Sequence, residues 1–301
     1  MTVRLIERRA KGRPMADFLS QYSIQRWIEM CPQGYLEDTV YGRGANEHEP
    51  EELLDDSEQR EAAISSTVQL VVGERCALAA SSGLINAAPD YPSKRFLATQ
   101  TLDEARHVEV FTQRLLDLGV KKDDLEDTIN DHANANLVKF AEVLLEKVAN
   151  GDFLAGVVGQ NIVLEGMAFT VFELLETANR ELNPKFAHTL SGTIADERRH
   201  VGFGENRIGS LVREQPEKKP EIEQMQQEMT YYMLATFADA FSGPQVQPAE
   251  PASGEADFHG TDLSTATPEE METVLSDTVL GEFKTRLDRI GLEYQSPPVP
   301  A

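Results

Sequence analysis

The six-residue pattern Asp-Glu-x-Arg-His-Val occurs twice in this chain of 301 residues, in "TLDEARHVEVF" and in "IADERRHVGFG". In each copy a glutamate stands three residues before a histidine, Glu104 before His107 and Glu197 before His200. On a helix, residues three apart lie on one face, about one turn apart. Each pair could therefore bind one metal ion from a single helix, and two pairs predict two metal ions.

Two further glutamates stand at matching distances from these motifs. Glu74 lies thirty residues before Glu104, and the turn sequence "AAPDYP" falls midway between them. Glu165 lies thirty-two residues before Glu197, and the helix break "NPK" falls close to that midpoint. In an antiparallel helical hairpin, residues equidistant from the turn lie at the same height. The spacing therefore predicts two hairpins, each bringing one glutamate and one Glu-x-x-His motif to a common level.

Glu74 and Glu165 are single acids in apolar contexts, "QLVVGERCALA" and "GQNIVLEGMAF". Burying an unpaired carboxylate costs on the order of several kcal/mol, and coordination to a cation removes that cost. Four carboxylates balance two divalent ions, and oxygen and imidazole ligands suit iron or manganese rather than a thiolate site. The predicted metal ligands are Glu74, Glu104, His107, Glu165, Glu197 and His200.

An aspartate precedes the glutamate of each motif, and an arginine follows two residues later. We expect Asp103 and Asp196 each to accept a hydrogen bond from the far ring nitrogen of the opposite motif's histidine, which fixes its tautomer. Arg106 and Arg199 would neutralise these aspartates, the alternative being plain surface ion pairs. The remaining histidines stand in polar contexts or on another helix face and are expected not to bind metal: His48, His132, His188 and His259.

Composition narrows the class of protein. The formal net charge of -23 disfavours binding to nucleic acid or to an anionic membrane surface. Two cysteines form neither a disulfide framework nor a zinc pattern. The N-terminal sequence is too polar for a signal peptide, and we expect no apolar run of about 18 residues, the minimum for a membrane span. These features favour a cytoplasmic protein with no membrane span.

Helical patterns dominate the chain, and alternating strand patterns are scarce. We predict an all-α fold, a four-helix bundle with additional helices. The expected division is an N-terminal helix (14–31) and loop within 1–56, a metal-binding bundle over 57–242, a flexible loop over 243–268, and a C-terminal helix and tail over 269–301.

The ligand pattern resembles that of the dimetal carboxylate oxidases of the ferritin-like superfamily, over roughly residues 57–215. The sixty-one residues between Glu104 and Glu165 leave room for an extra helix. That spacing is similar to the ribonucleotide reductase small subunit, the ligand-binding oxidases and the monooxygenase hydroxylase subunits. The resemblance implies two iron ions or one manganese and one iron, O2 as co-substrate, and an electron donor, either ferredoxin or a reductase. We also expect a homodimer.

Single positions help to distinguish between these groups of dimetal proteins. Phe111 stands where the radical-generating reductase subunit usually carries tyrosine, although one subgroup has phenylalanine there, and Tyr294 near the C-terminus keeps that alternative open. Cys76 and Gln160 occupy the positions that form a Val–Tyr crosslink in the ligand-binding oxidases, so no such crosslink is expected.

The residues one turn from the predicted ligands are mostly apolar, and their simplest role is core packing. Gly202 and Gly204 follow His200 within a helix, where missing side chains would leave room beside the metals. We therefore expect an apolar substrate pocket lined by Leu78, Val108, Phe111, Phe169, Phe203 and Gly204. The resemblance implies an O2-activating oxidase or oxygenase, and the apolar residues near the predicted ligands favour a small apolar organic molecule as its substrate. The alternatives are a radical-generating subunit and a ferroxidase.

Overall fold

The computed structural model describes residues 46–241, 257–258, 261–262 and 268–297. Ten helices are described there: α1 Glu51–Asp55, α2 Ser57–Ala87, α3 Tyr91–Asp117, α4 Leu125–His132, α5 Ala135–Ala149, α6 Phe153–Val157, α7 Glu165–Asn179, α8 Pro184–Glu214, α9 Lys219–Phe241 and α10 Pro268–Arg289. A π-helical segment, Val158–Leu164, joins α6 to α7, and short 3-10 turns cover Lys122–Asp124 and Pro216–Lys218. The all-α prediction is confirmed.

Two departures from the expected division concern short elements. Helix α1 lies in a stretch that was expected to be a loop. Two two-residue strands, β1 (Asp257–Phe258) and β2 (Thr261–Asp262), pair antiparallel within the expected flexible loop. The expected N-terminal helix lies outside the described residues, as do residues 243–256, 259–260 and 263–267 of the expected flexible loop.

The four long elements of the bundle form two antiparallel hairpins. In the first, α2 ends at Ala87 and α3 begins after Asp90, whose side chain accepts a hydrogen bond from the Ser93 backbone N–H. In the second, the Asn183 side chain caps α8 by accepting from the Phe186 N–H, and Pro184 occupies the first helical turn, where proline is favoured. Both turns fall where the sequence breaks predicted them.

Helices α3 and α8, the two that carry the repeated motif, run antiparallel beside each other. Ion pairs join them near both ends: Asp90 to Arg207 at 3.0 Å, and Asp117 to Lys185. Between these ends, Phe96 stacks on Phe203 with ring centroids 4.2 Å apart. This pairing brings the two motifs to the same height, so both project into the centre of the bundle.

The apolar stretch 152–182 is helical from Phe153, changes to π-helix over Val158–Leu164 and continues as α7 to Asn179. Its backbone lies close to neighbouring helices: a Cβ on Gly159 would lie 2.6 Å from Met229 Sδ and 2.7 Å from Leu144 Cδ1. A π-helical turn holds one more residue than an α-helical turn and occurs often at functional sites. The segment ends immediately before Glu165.

Two helical stretches are long and apolar enough to cross a membrane by length and composition, Ser57–Ala87 and Phe153–Asn179. The expectation that no apolar stretch reaches that length is therefore wrong. Of the most apolar window, 50% is buried inside the protein in the first stretch and 83% in the second. Helices that are apolar on all sides suit the centre of a bundle, which explains their composition.

Candidate metal centre

Six side chains from four elements meet in the middle of the bundle. Glu74 comes from α2, and Glu165 is the first residue of α7. The motif on α3 contributes a glutamate and a histidine, and the motif on α8 contributes another such pair. All six residues are buried, none being more than 4% exposed: Glu74, Glu104, His107, Glu165, Glu197 and His200. The structure thus brings together the whole set of predicted ligands.

The two motif glutamates lie between the two histidines. Glu104 places Oε2 3.4 Å from Nδ1 of His107 and Oε1 3.3 Å from Nδ1 of His200. Glu197 places Oε1 3.3 Å from Nδ1 of His107 and Oε2 3.3 Å from Nδ1 of His200. Each motif was expected to bind its own ion from one helix. Because α3 and α8 face each other at this height, both motif glutamates instead reach both halves of the site.

The other two glutamates belong to one half each. Glu74 Oε2 lies 3.3 Å from Nδ1 of His107, and Glu165 Oε1 lies 3.8 Å from Nδ1 of His200. The histidine rings are 6.2 Å apart between centroids. The arrangement therefore has two halves, each with one histidine and one terminal glutamate, joined by two shared carboxylates.

The far nitrogen of each histidine contacts an aspartate from the opposite motif. His107 Nε2 lies 3.2 Å from Asp196 Oδ2, and His200 Nε2 lies 3.3 Å from Asp103 Oδ2. A neutral imidazole that donates from Nε2 keeps the Nδ1 lone pair directed into the cluster. These are the contacts expected from the sequence, and their role beside a bound ion stays a prediction.

Two arginines join the aspartates across α3 and α8. Arg199 Nη2 donates to Asp103 Oδ2 at 2.9 Å and to Asp196 Oδ1 at 2.7 Å. Arg106 Nη2 contacts Asp103 Oδ1 at 3.2 Å and also Asp196. Burial opposes ionisation of Asp196, but hydrogen bonding to His107 and the nearby positive charges hold its pKa well below the usual range. Asp196 therefore stays charged, and both aspartates are positioned to hold the histidine rings.

Three buried amides surround Glu165, a role not predicted from the sequence. Gln100 Nε2 donates to Glu165 Oε1 at 2.6 Å, Gln160 Nε2 to the same oxygen at 3.1 Å, and Asn161 Nδ2 to Oε2 at 2.8 Å. Gln100 also donates to Glu104 Oε1 at 3.3 Å. Asn161 lies four residues before Glu165 and Gln100 four before Glu104, a helical spacing that could have revealed them.

Without a cation, the carboxylates of this cluster resist ionisation. Burial raises the pKa of Glu104 to about 7 and that of Glu165 well above its ordinary value, and neighbouring carboxylates add to both shifts. Burial likewise raises the pKa of Glu74, although His107 opposes the rise. Burying several carboxylates together is costly unless positive charge is present.

The histidines supply the positive charge inside the metal-free cluster. Burial acts to lower the pKa of both rings, but the carboxylates outweigh it and raise the pKa of His107 and of His200 well above the ordinary value. Burial acts to raise the pKa of Glu197, but His200 and His107 hold it down at about 2. The buried carboxylates of the cluster therefore favour the presence of positive charge between them.

The residues present fit a pair of metal ions. The ligand atoms of Glu74, Glu104, His107 and Glu197 all lie within 4.8 Å of one another, as do those of Glu104, Glu165 and His200. Two of these atoms, Glu104 Oε2 and His107 Nδ1, are buried without a hydrogen-bond partner. Buried oxygen and nitrogen atoms without hydrogen-bond partners are suitable ligands for a cation such as iron or manganese.

The expected pocket residues lie within about one helical turn of the predicted ligands along the chain, but one reason for expecting a cavity is wrong. A Cβ on Gly204 would lie 2.5 Å from Asn161 Cβ. The missing side chain of this glycine therefore lets Asn161 approach closely and leaves no empty space. Gly202 is exposed and faces away from the cluster. Phe111 and Phe169 are buried, whereas Leu78, Val108 and Phe203 are half-buried. A pocket among the five apolar side chains stays a prediction.

A cavity of about 420 Å³ lies elsewhere, between α2 and α5. It is lined by small and apolar residues, none from the expected pocket: Ala79, Gly83, Asn86, Ala87, Leu145, Val148, Ala149 and Gly151.

The other candidate residues lie away from the cluster. His132 pairs with Glu61 at 3.2 Å, and His188 with Glu47 at 2.7 Å. His48 is exposed, and His259 lies outside the described residues. Tyr294 packs edge-on against Phe283, with ring centroids 6.3 Å apart.

Comparisons with known proteins support the fold. No protein-family model matches the chain, and no curated protein matches it. Among solved structures, it is similar to a protein with aldehyde deformylating oxidase activity from Synechococcus, at 16% identity and a TM-score of 0.58 over 80% of this chain and 94% of the other. It is also similar to two point variants of an R2-like ligand-binding oxidase with an aerobically reconstituted Mn/Fe cofactor. Each matches at 17% identity and a TM-score of 0.63, over 78% of this chain and 82% of the other. The chain therefore has the ferritin-like bundle of these oxidases.

Proposed function

We propose that this protein is a non-haem dimetal oxidoreductase that uses O2 to oxidise a small, mainly apolar organic molecule. The metal pair would be two iron ions, or one manganese and one iron. The observation that carries the proposal is the pair of shared glutamates, Glu104 and Glu197, each reaching both histidines inside a buried cluster. The Mn/Fe cofactor of the structurally similar ligand-binding oxidase supports the mixed-metal option.

Such a metal pair, when bound, supplies the reductive activation of O2. The chain's own residues would do the rest. Asp103 and Asp196 hold the far ring nitrogens of the histidines, so that Nδ1 stays free for a metal. Gln100 and Asn161 hold the Glu165 carboxylate in one orientation. Burial of the whole cluster excludes bulk water, which protects a strong oxidant from side reactions.

For a hydroxylation, the overall reaction consumes one O2, two electrons and two protons. One C–H bond of the substrate becomes C–OH, and the second oxygen atom leaves as water. For a desaturation, the same two donor electrons and two protons, together with two hydrogen atoms removed from the substrate, reduce O2 to two waters. Either reaction needs an external donor of two electrons, and we propose a ferredoxin or a reductase. The aldehyde deformylating activity of one similar structure is consistent with a small organic substrate.

We place the substrate against the apolar side chains near the cluster, Leu78, Val108, Phe111, Phe169 and Phe203. Phe96 contributes to the same wall, because its ring stacks on Phe203 and meets His200 edge-on with centroids 6.4 Å apart. We further propose that the protein acts as a cytoplasmic homodimer. A free, buried Cys76 suits a reducing compartment.

A ferroxidase role is the second candidate. Asn161 fills the space beside Gly204, so the glycines of α8 no longer support a substrate cavity. Iron oxidation without an organic substrate needs the metal cluster but no such cavity.

The test begins with anaerobic loading of the purified protein with Fe(II), or with Mn(II) and Fe(II), followed by exposure to O2. We expect two metal ions per chain by elemental analysis. Mass spectrometry of co-purified small molecules, before and after O2, should show an organic molecule changed in mass. A protein that binds two metals and consumes O2 while forming only ferric iron would favour the ferroxidase. Absence of metal binding would refute both functions.

A further inference from the structure

The outer surface of the α3–α8 pair differs in charge from the rest of the molecule. The chain carries 51 acidic and 28 basic side chains. Over residues 91–108 of α3 and 195–204 of α8, however, the four acids are all buried parts of the metal centre or its support, and the acids that directly flank these stretches, Asp90, Glu109 and Glu205, are half-buried. The basic residues of the same two stretches are Lys94, Arg95, Arg106, Arg198 and Arg199. We call this outer surface the arginine face.

The centre of the arginine face is partly apolar and carries mostly short side chains. Leu102 is 39% exposed, one of the few large hydrophobic side chains so exposed in the described part of the chain. Small or short side chains surround it, namely Ala98, Thr99 and the exposed Gly202. An apolar centre with charges at its rim is typical of a transient protein interface.

Two of the arginines on this face are not neutralised by an ion pair in the described part of the chain. Arg95 and Arg198 are both exposed, and within the described part of the chain neither forms an ion pair. They differ in this from Arg199, which pairs with both supporting aspartates, and from Arg207, which pairs with Asp90. Unpaired guanidinium groups are available to carboxylates on another molecule.

The arginine face is also linked to the metal centre through hydrogen bonds. Arg199 is 49% exposed, and its Nη2 donates to Asp103 Oδ2 at 2.9 Å. The same Asp103 oxygen lies 3.3 Å from Nε2 of His200. Two hydrogen-bonded contacts therefore connect solvent with a predicted metal ligand, which is a short route for an electron.

We propose that the arginine face is the docking surface for a small acidic protein that carries one electron, an inference that rests on the proposed oxidoreductase function. An acidic carrier is repelled by the net charge of the molecule as a whole, and a local positive patch both attracts and orients it. A second copy of this chain fits the face less well, because a two-fold contact sets the same surface against itself and opposes arginine to arginine.

Each docking event would oxidise one carrier by one electron. Two events, together with two protons from solvent, would supply the reducing equivalents that the proposed reaction needs. The carrier leaves oxidised by one electron, and the electrons end in water formed from O2.

The test uses metal-loaded protein and a purified acidic plant-type [2Fe–2S] ferredoxin as the probe. The double variant Arg95→Glu/Arg198→Glu reverses two charges on the arginine face and replaces none of the predicted ligands or the residues that support them, although the Arg198 guanidinium also lies 5.9 Å from the Phe169 ring centroid. The matched control is Lys121→Glu/Lys122→Glu, two exposed lysines beyond the opposite end of α3 with the same change in charge. The dissociation constant is measured by calorimetry at low ionic strength, and electron transfer by stopped-flow oxidation of reduced ferredoxin.

We expect ferredoxin to bind the wild type, the arginine-face variant to bind at least about tenfold more weakly, and the control to stay within about twofold. The difference should shrink near 0.1 M salt, where the screening length is about 10 Å. Equal binding by both variants, or no binding to the wild type, would overturn the proposal. A sedimentation change in the arginine-face variant alone would show a self-interface and would also overturn it.

Failure of the docking proposal is separable from failure of the proposed function. Metal content and O2 consumption driven by dithionite do not depend on a protein donor. If these are normal in the arginine-face variant while ferredoxin binding is unchanged, the docking surface is wrong and the oxidoreductase stands. If metal binding or O2 consumption fails in the wild type, the proposed function is wrong, whatever the binding data show.

Discussion

Glu104 and Glu197 face each other across the bundle, and each directs one carboxylate oxygen toward Nδ1 of His107 and the other toward Nδ1 of His200, at 3.3–3.4 Å. The two halves of the candidate metal centre therefore share these two residues. By contrast, Glu74 contacts only the His107 half and Glu165 only the His200 half. This difference between shared and terminal glutamates has a measurable consequence.

Replacing a shared glutamate should cost more metal than replacing a terminal one. We expect Glu104→Ala to reduce the metal content from two ions per chain to nearly none, because both ions lose a ligand. Glu74→Ala or Glu165→Ala should leave about one ion. Elemental analysis of protein loaded anaerobically and then desalted measures the outcome.

His188→Ala is the control for this series, because His188 is an exposed histidine that pairs with Glu47 on the surface. It should retain both ions. Circular dichroism should show the same helix content in every variant. Full occupancy in Glu104→Ala would refute the assignment of a shared ligand.

The sequence predicted the ligands well because their signal is local. A Glu-x-x-His spacing needs only a helix, and the height of Glu74 and Glu165 needs only the position of two turns. It did not predict the sharing of Glu104 and Glu197, since that depends on how closely α3 and α8 approach each other. The change to π-helix before Glu165 was missed too, because an apolar run such as "GVVGQNIVL" fits either helix type.

The glycines of α8 also show that a local sequence pattern does not predict tertiary packing. Gly204 was expected to leave space, which is a natural interpretation of a glycine inside a helix. The structure shows that a residue 43 positions earlier in sequence, Asn161, occupies that space. Such close approach between helices is set by tertiary packing and leaves no local pattern.

The amide of Gln100 should tune the half of the site that contains Glu165. Gln100→Leu removes the 2.6 Å hydrogen bond to Glu165 and the longer one to Glu104. Removing a residue that orients a ligand typically costs about 10–100-fold in metal affinity. We therefore expect the metal ion in the half with Glu165 and His200 to bind about 10–100-fold more weakly. The affinity of the ion in the half with Glu74 and His107 should change little.

Stepwise anaerobic titration with Fe(II) in the presence of a competing chelator measures both affinities. Gln113→Leu is the matched control, since Gln113 donates to Asp117 away from the cluster. Equal weakening of both ions, or none at all, would contradict the orienting role of Gln100.

A stable tyrosyl radical should be absent near the metals. Phe111 stands at the position where a radical tyrosine is usual in the reductase subunit, and its ring is fully buried beside Phe172 at 6.3 Å between centroids. We expect no long-lived tyrosyl signal by electron paramagnetic resonance after metal-loaded protein reacts with O2. A long-lived tyrosyl signal would place the protein among the radical-generating subunits.

Phe111→Tyr provides a positive comparison for that experiment. Its hydroxyl enters an apolar environment, so an unpaired oxygen should cost about 1–3 kcal/mol of folding free energy. A lower midpoint of thermal unfolding, with or without a new radical signal, would agree with the burial of this position.

Gly204 and Gly202 should respond oppositely to the same substitution. In Gly204→Ala the new Cβ lies 2.5 Å from Asn161 Cβ and 3.3 Å from Ile162 Cδ1, so one helix must shift. Overpacking of this kind costs about 1–3 kcal/mol. Gly202 is exposed within the same helix, with no atom within 4 Å of an added Cβ, so Gly202→Ala should gain about 0.5–1 kcal/mol from helix propensity. Chemical denaturation of the metal-free proteins measures both changes.

The Gly204 substitution should also reach the metal centre, because Asn161 donates to Glu165 Oε2 at 2.8 Å and to the backbone oxygen of His200 at 3.2 Å. Displacing Asn161 loosens Glu165, so Gly204→Ala should lose one metal ion to a chelator faster than the wild type does. Gly202→Ala should release metal at the wild-type rate. If Gly204→Ala is as stable as the wild type and holds metal equally well, Asn161 does not depend on this close contact, and its hold on Glu165 has another origin.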